Sequence, residues 1–203
     1  MDGWRVLDVL TIPDVVAVTG CVISIDPGSN DLGCSVTYYD LSTLSIISIE
    51  SIHIKVSKLV PDYSMLASHG DRKSRYSTLK KTLTRLIEYH SPVAVVSEAP
   101  FFNRFTPLAY GTLTEVVAIV KEAVLSVNPY TPMRTYPPMT VKKAIGAKKY
   151  VGKNPVLDAV LNNEEIMKAM VNNVHYCTPD EVDSIAVGYA YLEEQREGYY
   201  YGF

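Results

Sequence analysis

The chain has three cysteines and one tryptophan in 203 residues, and no excess of positive charge. Cys21, Cys34 and Cys177 are odd in number and far apart, with no C-x-x-C pair. Neither a disulfide framework nor a cysteine-rich zinc site is therefore expected. A reducing, cytoplasmic compartment fits that usage. No run approaches the roughly 18 uninterrupted apolar residues of a membrane helix, so no membrane partner is expected. The first 20 residues carry Asp2, Asp8 and Asp14 against the single base Arg5, the wrong balance for a secretory signal. Lys and Arg number 19 against 22 Asp and Glu, a net charge of −3. Any surface for a polyanion must then be local, because phosphate contacts need clustered Lys and Arg.

What is present is ordinary for a folded globular chain, 47% hydrophobic and 20% charged. One domain over 15–198 is expected, with an N-terminal arm at 1–14 and a short Tyr-rich tail at 199–203. Residues 15–25 are β-branched and apolar and stop at Asp26-Pro27-Gly28, a buried strand closed by a turn. Residues 34–40 and 44–54 follow as two more strands across a short link, which predicts an antiparallel meander. Leu79, Leu83, Leu86 and Ile87 recur at helical spacing within 74–89. Val93–Val96 is a short apolar strand, and 108–127 a helix apolar enough to imply deep burial. A strand at 132–136 and helices at 138–146, 155–170 and 179–195 complete the pattern. Pro138, Pro155 and Pro179 sit where a first helical turn tolerates proline. The order β-β-β-α-β-α-β-α-α-α predicts an α/β fold, a mixed sheet flanked by helices.

Three acidic features stand at the ends of apolar elements. Asp26 follows the first strand, Glu98 follows the fourth, and Asp180 with Asp183 opens the last helix, three apart and on one face. Carboxylates gathered together repel, so their convergence calls for a cation, and hard oxygen ligands suit Mg²⁺ or Mn²⁺. Each has a plainer reading: Asp26 as a turn former, Asp180 and Asp183 as acids on a helix N-terminus. Two basic runs accompany them. Lys142, Lys143, Lys148, Lys149 and Lys153 lie in one; Arg72, Lys73, Arg75, Lys80, Lys81 and Arg85 lie in the other. Either could be a solvated face. The four histidines, His53, His69, His90 and His175, are scattered; His175 and Cys177 lie nearest an acidic motif.

In combination these features resemble the RuvC-type Holliday junction resolvases of the ribonuclease-H-like superfamily. Ile23-Ser24-Ile25-Asp26-Pro27-Gly28-Ser29, with Gly33 following, resembles the opening I-D-P-G-S-x-x-x-G of that family. Glu98-Ala99-Pro100-Phe101 resembles the second acidic motif with its aromatic. Val141-Lys142-Lys143 and then Lys153, Val156 and Val160 resemble the basic segment. Asp180-Glu181-Val182-Asp183-Ser184-Ile185-Ala186 resembles the closing D-x-x-D-[AS]-[IL]-A. The motifs keep the family's order and span about 22–190. The N-terminal arm, a low overall identity to the cellular enzymes and a longer gap between the first two acids depart from the family's pattern, which implies a divergent or phage-type branch.

The resemblance implies a ribonuclease-H-like fold and a metal-dependent endonuclease that makes paired cuts in branched DNA. It implies that Asp26, Glu98, Asp180 and Asp183 hold two Mg²⁺, or Mn²⁺. Lys142, Lys143 and Lys153 would contact the DNA backbone, and Phe101 would stack at the junction centre. It also implies a homodimer joined through the helix at 108–127. Within the same fold, a flap, fork or RNA-hybrid nuclease and a non-catalytic junction-binding protein are the alternatives.

Overall fold

The computed structural model describes residues 18–102, 107–148 and 154–201. Its centre is one five-stranded sheet of order β3-β2-β1-β4-β5. β1 (Thr19–Asp26), β2 (Leu32–Asp40) and β3 (Ile46–Ile54) form the expected antiparallel meander. β4 (Ala94–Glu98) and β5 (Met133–Tyr136) add in parallel on the other side of β1. Parallel neighbours need crossovers. α1 (Tyr63–His90) supplies one and α2 (Pro107–Val127) the next.

Both faces of the sheet are covered, which explains why β1 and β4 read as continuous apolar runs rather than alternating ones. On one face Ile23, Ile25, Val36 and Val95 meet Leu79, Leu83 and Ile87 of α1 and Val116, Val120 and Val124 of α2. On the other, Val22, Ile49, Ala94 and Val96 meet α6 (Pro179–Tyr201) through Val182, Ile185, Ala186 and Leu192. The short helices α3 (Pro138–Ala144), α4 (Pro155–Leu161) and α5 (Glu164–Ala169) share that second core. Leu79 and Leu83 are fully buried and stabilise α1 by about 1.5–3 kcal/mol each. The exposed ion pairs on the same helix contribute under about 1 kcal/mol apiece. Packing therefore decides where α1 sits.

Several boundaries move from those the sequence suggests. α1 begins at Tyr63 rather than near 74, because two helical pieces join at Gly70, whose φ of 75° only glycine adopts without strain. The expected helix over 155–170 is two, α4 and α5, separated at Asn162 and Asn163; the Asn163 side chain accepts from the Ile166 amide and caps α5. α6 runs to Tyr201, past the expected helix end at 195. α2 is not deeply buried: Val116, Val120, Ala123 and Val124 are covered, while Leu108 and Leu125 are exposed. Its apolar composition thus overstates its contact with the domain. The N-terminal arm lies outside the described residues.

Candidate active site

Register alone draws most of the site. Asp26 pairs with Gly33, and Gly33 pairs with His53 on β3. On the other side the parallel register, Ile25 to Ser97, carries Asp26 next to Glu98. Directly opposed residues share a face. His53, Gly33, Asp26 and Glu98 therefore form one row at the end of the sheet, on the face that α6 covers.

α6 brings the other two acids, and glycine lets it come close. A Cβ on Gly33 would lie 1.8 Å from the Asp180 carbonyl oxygen. A Cβ on Gly188 would lie 2.5 Å from Ser24 Oγ, so the same helix is also seated tightly further along. Its first turn is fixed by a capping box: the Glu181 carboxylate accepts from the Thr178 amide (2.8 Å) and hydroxyl (2.9 Å), and Thr178 Oγ1 accepts from the Glu181 amide. Glu181 also accepts from Ser51 Oγ of β3 at 3.0 Å, which ties the helix start to the sheet. Glu181 is thus a structural acid. Asp180 and Asp183 on either side of it remain available to the row below.

The gathering has an electrostatic consequence. Burial, then the charges of Glu98 and Asp183, and a hydrogen bond to Glu98 push the Asp26 carboxyl up to about 9. Burial raises Glu98, although Lys142 and the Asp26 hydrogen bond oppose it. Burial, Glu98 and Asp180 push Asp183 up to about 6. Asp180 is raised by burial and by Asp31. Burial and like charge raise both Asp180 and Asp183, the opposite of what a helix N-terminus favours. The turn-former reading of Asp26 fails similarly, since its carboxyl engages Glu98.

All four donors are hard carboxylate oxygens, the chemistry that suits Mg²⁺ or Mn²⁺ rather than a soft metal. Among the described residues, no three acidic, histidine or cysteine side chains form a ready-made metal cage. The donor chemistry fits a divalent cation; the closed ligand geometry is not preformed. Repulsion between like charges opposes that closure, and a cation removes the repulsion. Cys177 takes no part: its Sγ lies 3.2 Å from Ser51 Oγ, and burial raises its thiol.

No protein-family model matches this chain, and no curated protein matches it in sequence. Solved structures do match. Thermus thermophilus RuvC in complex with Holliday junction substrate superposes with a TM-score of 0.67 at 22% identity, over 88% of this chain and 96% of that one. The yeast mitochondrial Holliday junction resolvase Ydc2 gives 0.60 at 13% identity, over 90% and 81%. The fowlpox virus Holliday junction resolvase gives 0.50 at 16%, over 86% and 99%. The chain has the RuvC-type fold.

On this RuvC-type fold the remaining sequence-selected residues separate. Phe101 is 66% exposed just beyond Glu98, so the reading of it as core fails. Beside it Phe102 is also exposed and meets Tyr110 of α2 edge-on, with ring centroids 5.7 Å apart. Lys142 is exposed on α3, near enough to lower both Glu98 and Asp183. Lys143 instead lines a cleft of about 330 Å³ with Glu193, Glu194 and Glu197 of α6. Lys149 and Lys153 lie outside the described residues.

Most of the other basic run is spent on protein carboxylates. Arg72 and Lys73 pair with Glu115, Arg75 with Asp71, Lys80 with Glu122 and Lys81 with Asp62. Sequence reasoning missed His53 and Asp31, paired at 2.9 Å, and both bear on the charge of Asp180. His175, nearer in sequence, is exposed. The signal that could have found His53 is register: it faces Gly33, which faces Asp26.

No helix among the described residues is long and apolar enough to cross a membrane.

Proposed function

We infer that this protein is a metal-dependent, structure-selective endonuclease that resolves four-way DNA junctions by paired symmetric cuts. The observation that carries this reading is the convergence of Asp26 and Glu98 at neighbouring strand ends with Asp180 and Asp183 of α6, at one end of a RuvC-type fold. A module that only bound DNA would gain nothing by aiming buried negative charge at phosphate. Such a cluster is useful where it holds cations against the strand.

Asp26, Glu98, Asp180 and Asp183 are the residues that would hold two Mg²⁺, or Mn²⁺. When bound, these ions supply an activated water and Lewis-acid stabilisation of the leaving 3′ oxygen. Lys142 places a positive charge beside Glu98 and Asp183, where it attracts the backbone of the strand without reading its bases. Lys143, turned toward the acidic end of α6, contributes less than Lys142. Lys153 is assigned the same backbone role by its sequence motif. Phe101, exposed next to Glu98, offers a ring on which an unpaired base at the junction centre stacks, worth about 1–3 kcal/mol. Paired cuts need two such sites related by a two-fold axis. The uncovered apolar residues of α2 suit the homodimer contact.

The deciding experiment is a nuclease assay on a four-way junction, a matched flap and an RNA–DNA hybrid, with Mg²⁺ and with EDTA. Junction cleavage with Mg²⁺ alone is expected, leaving 5′-phosphate and 3′-hydroxyl ends. Preference for the flap or the hybrid would move the substrate while keeping the site. No cutting of any substrate would leave a binding protein. Phe101→Ala should lower junction cleavage about tenfold or more while altering flap cleavage much less; equal losses would remove its role at the junction centre.

A further inference from the structure

The acid row ends on an imidazole. His53 occupies the same row and face as Asp26, one strand beyond Gly33, and its side chain is 27% exposed. Gly33 has no side chain, and the Asp180 backbone fills the space above it. His53 and Asp26 therefore flank the start of α6. The loop between β1 and β2 turns back to meet this histidine: a Cβ on Gly28 would lie 1.7 Å from the Asp31 carbonyl oxygen, so the turn is tight enough to need glycine there. The Ser57 amide donates to the Asn30 carbonyl at 3.0 Å and pins the same loop beside the end of β3. Asp31 Oδ1 consequently stands 2.9 Å from His53 Nε2.

A carboxylate can only accept, so Nε2 carries the hydrogen of this pair. The other ring nitrogen, Nδ1, has no hydrogen-bond partner among the described residues. The charged groups that bear on Asp180 are Asp31, His53 and Glu181, and only His53 can be positive. At the other end of the cluster Lys142 bears on Glu98 and Asp183. A DNA strand laid over the acids thus has Lys142 on one flank, and on the other His53 is the group among those bearing on Asp180 that can donate to phosphate as a cation.

We propose that His53, oriented by Asp31, donates from Nδ1 to a backbone phosphate of the strand on the Asp180 flank of the acid cluster, as the counterpart of Lys142. This rests on the reading of the cluster as a DNA-facing nuclease site. Both ring nitrogens must donate at once in the complex, Nε2 to Asp31 and Nδ1 to the phosphate, so the ring meets the strand as an imidazolium. His53 is in this role a positioning residue: it fixes where the strand lies, not the bond that breaks.

The test is junction binding by fluorescence anisotropy in EDTA, across a series of salt concentrations, with the full chain. His53→Ala should weaken binding about tenfold and reduce the slope of log affinity against log salt by about one. His53→Lys, which restores a cation without the ring, should recover the slope. His53→Gln keeps a hydrogen bond to Asp31 without charge and should lose the slope as His53→Ala does, with an unchanged melting temperature. That variant decides the matter if His53→Ala fails to fold. Wild-type affinity and slope in His53→Gln would overturn the proposal. So would a His53→Lys protein no better than His53→Ala. Wild-type protein that fails to bind the junction would instead bring down the nuclease reading itself.

Discussion

Asp26→Asn abolishes Mg²⁺-dependent junction cleavage, by about 10³-fold or more, yet the variant binds the junction at least as well as the wild type. Asp26 lies at the centre of the acid row, bonded to Glu98 and within reach of the charges of Asp183 and Asp180. Asparagine keeps the shape and removes one of four oxygen anions, so the affinity for a divalent cation falls most at this position. It also removes a negative charge that repels phosphate, which favours binding. Gel assays of cleavage and of binding on the same junction separate the two effects. A variant that still cuts near the wild-type rate would place the chemistry elsewhere.

The same substitution carries a pH signature. The Asp26 carboxyl has an ordinary value of 3.8 and is pushed up to about 9 in the fold, by burial first and Glu98 next. Between those values the folded chain holds a proton that the unfolded chain has released, so stability falls as pH rises across that window. Asp183, pushed up to about 6, adds a loss in the same direction over the lower part of the range. In EDTA the wild type should therefore melt lower at pH 8 than at pH 5. The substituted asparagine has no proton to lose, and its amide still donates to Glu98. Asp26→Asn should raise the pH 8 melting temperature by at least about 3 °C, with the gain fading toward pH 4. Mg²⁺ should stabilise the wild type at pH 8 far more than the variant, because only binding to the folded state shifts the equilibrium. Equal melting curves at pH 8 in EDTA would show that the four acids do not strain the fold.

The sheet and the acids were legible because they rest on local signals. An apolar run broken by Asp26-Pro27-Gly28, and a second ending at Glu98, fix two strand ends, and a parallel pairing of those strands sets the acids side by side. Four things were not legible, the first three because they depend on non-local contact. The run from Arg72 to Lys81 reads as a basic surface until Glu115 and Glu122 of α2, Asp71, and Asp62 before α1 are seen to pair with it. α2 reads as deeply buried because composition counts apolar side chains without saying how many are covered. His53 reads as one scattered histidine because its link to the site runs through two strand pairings and a glycine. Glu181, inside a motif that presents three acids in four residues, is set apart from Asp180 and Asp183 only by its capping role.

That geometry places an even sharper demand on Gly33. Its missing side chain is the space into which the Asp180 carbonyl descends. A methyl group there would lie 1.8 Å from that oxygen and 2.2 Å from its carbon, both backbone atoms that cannot rotate away. Ordinary contact begins near 3.4 Å, so Gly33→Ala forces the start of α6 outward by more than about 1 Å. The capping box at Thr178 and Glu181 moves as one piece with Asp180 and Asp183, so both acids leave the row together while Asp26 and Glu98 stay on the sheet. Overpacking of this kind costs about 1–3 kcal/mol, and displacement of a reacting group by about 1 Å can cost about 10²-fold in rate. Gly33→Ala should therefore melt several degrees lower and cleave junctions at least about 10²-fold more slowly. Gly198→Ala is the matched control: it lies on the same helix with open space at its Cβ, and a helix interior favours alanine over glycine. It should cut normally and melt no lower than the wild type. If Gly33→Ala also cuts normally, α6 does not need to sit against β2 to deliver its two acids, and the site cannot depend on Asp180 and Asp183 meeting Asp26 and Glu98.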